Sequence, residues 1–278
     1  MAYKPTVRGR RLVRELRRLR EDKGMTLQDV ADQIGWSRAT VSRLETGQTR
    51  PRHGDVADLL AFYGVSEEER DALVTLAKQA NTRGWWTAYV DVFTGSYVAL
   101  EDEAAEIRTW DAQLIHGLLQ TEAYARAVIT AGRMLPTPKD VDRRIAARKN
   151  RQALLDRHDA PRLHAIFDEA VIRRPIGGPS VMCSQLLALA DAARRRNVTI
   201  QILPYAAGAH AGLDGRFTIL SYADTADPDI AYVEGTMGDV YLEREAETEQ
   251  HRKRFEEITA LSLTPAESLS LIVEAAKE

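Results

Sequence analysis

Apolar residues recur at helical spacing from the start of the chain. Leu12, Leu16 and Leu19 give residues 7–23 one apolar stripe, and Gly24 closes that helix. Leu27, Val30, Ala31 and Ile34 mark a second, shorter helix behind Thr26, which forms a capping-box signal with Asp29 three residues on. Gly35 supplies a turn and Ser37 an N-cap. Residues 38–45 then form a third helix, with Val41 and Leu44 facing inward and Arg38, Ala39, Ser42 and Arg43 left on the outer face. Val56, Leu59, Leu60 and Phe62 define a fourth helix over residues 55–63. Ser66 and the three glutamates after it cap a fifth that carries Leu73, Leu76 and Ala77.

Beyond residue 84 the pattern changes. Trp85, Trp86, Tyr89, Phe93 and Tyr97 crowd together in a chain that is only 6% aromatic. Such a cluster either packs a core or seam, the commoner case, or lines a ligand pocket. Helical periodicity returns over residues 98–108, 121–131, 140–157 and 180–194, while residues 163–167, 198–203, 217–222 and 230–233 read as strands. Two helices end the sequence, the last opened by Thr264 as cap and Pro265 at its first position. The expected fold is mainly α, with a five-helix domain over residues 1–80 and an α+β domain over residues 85–278. The second domain has a small sheet and a strand, helix, strand crossover. Asn81, Thr82, Arg83 and Gly84 mark the expected boundary.

Charge sharpens this division. The chain of 278 residues has a net charge of −3, but residues 1–52 hold thirteen Lys plus Arg against six Asp plus Glu. That is +7 at the front and −10 behind. A basic front end suits phosphate contact, whose affinity falls with salt as counterions are released. The acidic remainder argues against extended nucleic-acid binding. No run is long and apolar enough for a membrane span or a signal-peptide core, so a cytoplasmic protein is expected. The single cysteine, Cys183, excludes an internal disulfide and any cysteine-cluster zinc site, and its apolar neighbourhood suits a buried small residue.

Two short helices joined by a tight turn and followed by a basic loop have a specific use. The outer face of the second helix has the dimensions to enter a major groove. Arg38 and Arg43 are the expected base readers, since a guanidinium engages guanine O6 and N7 together, with Ala39 and Ser42 adding methyl or hydroxyl contacts. Gln28, Ser37, Thr40, Thr49, Arg50 and Arg52 are expected on phosphates. Part of the arginine-rich first helix is expected near the backbone too, with Arg8, Arg10 and Arg11 as an N-terminal arm. The segment LQDVADQIGWSRATVSRLETGQTRPR, residues 27–52, resembles the helix-turn-helix of the Cro/C1 repressor type, the XRE family. The resemblance implies sequence-specific binding of double-stranded DNA, and one short helix reads so few base pairs that a homodimer on two half-sites is expected.

A second resemblance covers nearly everything after residue 84. WWTAY (85–89), GLLQTEAYARA (117–127), RKNRQALL (148–155), FDEAVIRRPIGG (167–178), QLLAL (185–189), VTIQILPYAAGAH (198–210) and YVEG (232–235) are similar to DUF5753. This is a domain of unknown function that follows Cro/C1-type motifs in actinobacterial regulators. His116 departs from the pattern, standing where the family commonly has proline. The resemblance implies an antitoxin-like regulatory role and a small protein partner of the DUF397 type. It implies no small-molecule ligand and no catalytic residue. The competing expectation is an interaction protein whose main task is to bind that partner, with DNA binding secondary.

An enzyme is not expected. The chain lacks a Walker loop, a GxSxG elbow and an HExxH motif. The loop from His210 to Gly215 holds a histidine and Asp214 but reads as a glycine-bent connection between strands. Asp168 and Glu169 beside Arg173 and Arg174 read as a salt-bridge network in preference to a phosphate site. His53, His158, His164 and His251 show no metal-ligand spacing, and no cofactor is expected.

Overall fold

A computed structural model describes residues 5–80, 84–93, 96–132, 137–224, 227–235 and 238–278. The described residues fall into two compact units, those within 1–88 together with 93–100, and 89–92 together with 101–278. Residues 81–83 of the expected boundary lie outside the described residues.

The first unit is built from α1 (Val7–Asp22), α2 (Leu27–Ile34), α3 (Arg38–Glu45), α4 (His53–Tyr63) and α5 (Glu67–Ala80). Each apolar stripe in the sequence becomes core. Leu12, Leu16, Val30, Val41, Val56 and Leu60 are wholly buried, and Met25, Trp36 and Val65 pack at the margin. The helix ends follow their local signals. Thr26 and Asp29 form a reciprocal capping box, and Gly35 ends α2 in the left-handed region at φ 71°. The Ser66 hydroxyl accepts the Glu69 N–H at 3.1 Å at the head of α5. Arg8, Arg10 and Arg11 lie within the opening turns of α1, so the expected N-terminal arm is helical. Within this unit Trp85 meets Trp86 and Phe93 edge-on, with centroids 6.2 and 5.8 Å apart, an aromatic packing of partly buried rings. A short helix, α6 (Tyr97–Asp102), follows.

The second unit is organised on a six-stranded sheet in the order β3-β2-β1-β4-β5-β6. Its strands are β1 (Glu106–Asp111), β2 (Arg162–Asp168), β3 (Val198–Leu203), β4 (Phe217–Ser221), β5 (Ile230–Gly235) and β6 (Gly238–Leu242). The first three are parallel and the last three add antiparallel. The helices are α7 (Glu122–Ala131), α8 (Pro138–Gln152), α9 (Glu169–Arg173), α10 (Pro179–Ala192), α11 (Glu245–Leu261) and α12 (Pro265–Ala275). Phe255 and Ile258 of α11 pack on Trp110, Ile166, Leu203, Phe217 and Ile219, which closes one face of the sheet. By alternation the opposite face carries Ile107, Thr109 and Asp111. There the Thr218 hydroxyl donates to Thr109 Oγ1 at 3.2 Å, and Thr109 donates to Asp111 at 2.8 Å.

The α+β architecture and the β2–α10–β3 crossover agree with the sequence, but the sheet is larger than the four strands expected. The helix expected over residues 98–108 stops at Asp102, and Glu106–Asp111 forms the strand β1 in the middle of the sheet. Ile107, Thr109 and Trp110 are strand-forming residues, and they gain ladder partners from residues 162–167 and 217–221, far away in the chain. β6 was also not expected. Cys183 on α10 is partly exposed instead of buried.

Candidate nucleic-acid interface

The geometry of the first unit places a short helix so that one face is core and the other is open. α3 opens on Ser37, whose hydroxyl accepts the Thr40 N–H at 3.1 Å and lies 2.8 Å from the Thr40 hydroxyl. These two expected phosphate ligands therefore also fix the start of the helix. Val41 and Leu44 are buried. Arg38, Ala39 and Arg43 are exposed and Ser42 is partly so. Positions 38 and 42, 39 and 43, and 39 and 42 are three or four apart, so the four expected base readers share one surface. Neither Arg38 nor Arg43 forms an ion pair among the described residues, which leaves both guanidiniums to solvent or to a partner.

The remaining expected contacts surround this face. Gln28 is exposed on α2, its amide donating to Asp32 at 2.7 Å. Thr49, Arg50 and Arg52 are exposed in the loop between α3 and α4, tethered where the Gln48 and Thr49 N–H groups reach back to the Arg43 carbonyl at 2.9 and 3.2 Å. Buried Pro51 anchors the middle of that loop.

One determinant of the site was missed. Arg20, one of the arginines of the first helix, is almost buried. Its Nε lies 2.9 and 3.0 Å from the two carboxylate oxygens of Glu45, and Nη1 donates to the Met25 carbonyl at 2.7 Å. This ties the end of α1 to the last residue of α3. The signal was present, since Arg20 continues the Leu12, Leu16 row and Glu45 continues Val41 at four-residue spacing. Burial pushes the Glu45 carboxyl above its ordinary range despite the pull of Arg20. Tyr63, buried beside it, is pushed up to about 12 by desolvation and by the Glu45 charge. The other arginines at this end of α1 are also engaged, Arg17 on Glu21 and Arg18 on Glu15, Asp22 and, across to α5, Glu69 at 3.4 Å. Exposed pairs of this kind add little stability.

In the second unit the structure assigns the other candidates to architecture. Asp168 caps α9 by accepting the Ala170 N–H at 2.8 Å, while Glu169 accepts from Arg173 at 3.2 Å and from the Tyr205 N–H at 3.0 Å. His210 Nδ1 accepts the Gly212 N–H at 3.1 Å, and the ring stands edge-on to Trp110. Asp214 pairs with Arg254 at 3.1 Å. His116 holds φ −55°, within the range of the proline it replaces, so the turn before Gly117 keeps its course. Among the described residues no three His, Cys, Asp or Glu side chains gather as metal ligands, and no helix is long and apolar enough to cross a membrane.

Two helices, a left-handed glycine turn and an open arginine-bearing face define a helix-turn-helix domain, and residues 11–73 match the family described by that name. Residues 94–274 match a domain of unknown function, DUF5753. The chain belongs to the DUF5753 family and carries an XRE-type helix-turn-helix ahead of that domain. No curated protein and no solved structure matches the chain.

Proposed function

We propose that the protein is a sequence-specific transcriptional regulator. Residues 1–80 read DNA as a homodimer, and residues 85–278 regulate that reading through a small protein partner of the DUF397 type or a ligand. The observation that carries this is the open face of α3, where Arg38 and Arg43 stand exposed, with no ion pair among the described residues, on a helix otherwise locked into a core. Arg38, Ala39, Ser42 and Arg43 address base edges, while Gln28, Ser37, Thr40, Thr49, Arg50 and Arg52 hold the motif on phosphates. Two copies spaced by about 34 to 36 Å along the duplex give a two-fold symmetric operator.

Footprinting combined with light scattering tests this. The expected result is a dimer protecting two half-sites one helical turn apart, and a monomer on a single half-site contradicts it. Stable co-purification of a small partner with weak, sequence-indifferent DNA binding would instead favour the antitoxin-like role. The second unit is read as non-enzymatic, because its best acid and base candidates are engaged in caps, turns and ion pairs.

A further inference from the structure

A cluster of charged side chains gathers at one end of the sheet in the second unit. β1 is the strand at which the topology reverses, with parallel neighbours on one side and antiparallel ones on the other. In open sheets the crevice beyond the carboxyl end of such a strand is where ligands bind. Continuing the β1–β4 register by one step and the β4–β5 register by two sets Asp111, Arg216 and Glu234 in a row across the ends of β1, β4 and β5. Arg216 lies 3.6 Å from Asp111 and 2.8 Å from Glu234.

Over this row sits the turn of residues 115–121, held rigid by three glutamines. Gln120 donates to the Ile115 carbonyl at 2.6 Å, Gln152 to the Gly117 and Gln120 carbonyls at 2.9 and 2.7 Å, and Gln185 to the Leu119 carbonyl at 2.9 Å. α8 brings two arginines to the turn. Arg151 is neutralised by wholly buried Glu101, its Nη2 at 2.7 Å. Arg148 has no carboxylate at ion-pair distance among the described residues, and its one hydrogen-bond partner is the Gln120 side-chain oxygen. Burial, and then the Arg151 charge, press the Arg148 guanidinium down to about 10. Arg148 is half-buried, with donors left over and no counter-ion in contact, so an anion reaching its head would gain a charge-assisted pair.

His116 is the second, independent sign. It is only 3% exposed, and burial among Arg148, Arg151 and Arg216 holds it well below its ordinary pKa, hence neutral. Its Nδ1 accepts from the Leu118 N–H at 3.5 Å, so the ring hydrogen resides on Nε2. That N–H has no hydrogen-bond partner among the described residues and keeps access to solvent. A guanidinium with spare donors and an imidazole N–H with none of its bonds made call for an oxyanion.

We propose that Arg148 and His116 bind the oxyanion of a small ligand, a carboxylate or a phosphate group, at the carboxyl end of β1. Arg148 supplies the charge and fork geometry, and His116 Nε2 a neutral hydrogen bond. This deepens the reading of the second unit as regulatory, and it leans on that reading only for its consequence at the operator.

The test is calorimetric titration and thermal unfolding of the full chain with inorganic phosphate, acetate and succinate. Each is compared with sodium chloride at equal ionic strength. Saturable binding of phosphate alone, or of the carboxylates alone, identifies the source. Arg148→Leu should weaken that binding by at least about tenfold, and without anion it should leave the second unit no less stable, since a half-buried charge without a counter-ion has been removed. Arg148→Gln serves if the leucine variant does not fold. Affinity for acetate or succinate, which are fully ionised there, should stay flat between pH 6.5 and 8.5, because a neutral imidazole and a guanidinium do not titrate in that range. Binding should persist in the Arg38→Ala, Arg43→Ala double variant, which separates failure of this site from failure of DNA reading. No saturable response to any of the three anions up to about 10 mM overturns the proposal, as does an equal response in wild type and Arg148→Leu.

Discussion

Replacing Arg20 with alanine should loosen the first unit more than any other single arginine change there. In the native structure the Arg20 side chain is 12% exposed and that of Glu45 5%, and the carboxylate is held through both oxygens. Removing the guanidinium leaves Glu45 buried and charged beside Tyr63, and also frees the Met25 carbonyl. Breaking a buried pair from one side costs about 3 to 5 kcal/mol, so local opening should rise by roughly 100-fold or more. The pH dependence has a definite sign. Because burial holds folded Glu45 above 4.5, its contribution to stability is full below that value and is lost as pH rises through the folded pKa. Without Arg20 the folded carboxyl rises further, so the deficit of the variant should be largest at pH 7 and shrink at pH 5. Hydrogen exchange of peptides from α1, α3 and α4 in the full chain reads this directly. An Arg20→Met, Glu45→Leu double variant should recover most of the loss. A single variant whose exchange is unchanged within about threefold at both pH values would refute the reasoning.

Further outcomes follow from the same contacts. Arg43→Ala should cost about 1 to 3 kcal/mol of specific DNA affinity and relax preference at one base pair, checked by binding to operator variants. Arg52→Ala should weaken specific and non-specific binding alike and lower the salt slope by about one, checked by titrating salt. Gly35→Ala should destabilise the first unit by about 1 to 2 kcal/mol, because the turn needs φ 71° although space around it is open, and a thermal melt would show it. Gly212→Ala should destabilise the second unit by about 1 to 3 kcal/mol, since the new methyl would stand 2.5 Å from the Trp110 ring, which donates to the Gly212 carbonyl at 2.9 Å. Trp110 fluorescence during urea unfolding would register this loss.

The first unit was legible because its signals are local. A cap, a stripe or a left-handed glycine is specified within four residues, so Thr26, Gly35 and Ser37 announced their turns. β1 was misread for the opposite reason. Its stability comes from strands that arrive dozens of residues later, and six residues cannot show that. β6 is exposed along most of its length and shows no alternation of buried and open positions. Buried charges were hardest to read, since Arg20, Arg148 and Arg151 look like any solvated arginine until their neighbours are known. Arg20 at least stood on an apolar row. Arg148 also followed the Val141, Ile145 row, but the turn that covers it lies on another segment.

Binding of the purified full chain to fragmented genomic DNA at near-physiological salt, beside the Arg38→Ala, Arg43→Ala double variant, tests the central claim most directly. The account predicts enrichment of a short two-fold symmetric motif that disappears in the variant. Diffuse binding, equal in both proteins and lost with a modest rise in salt, would mean electrostatic contact alone and would contradict base reading by α3.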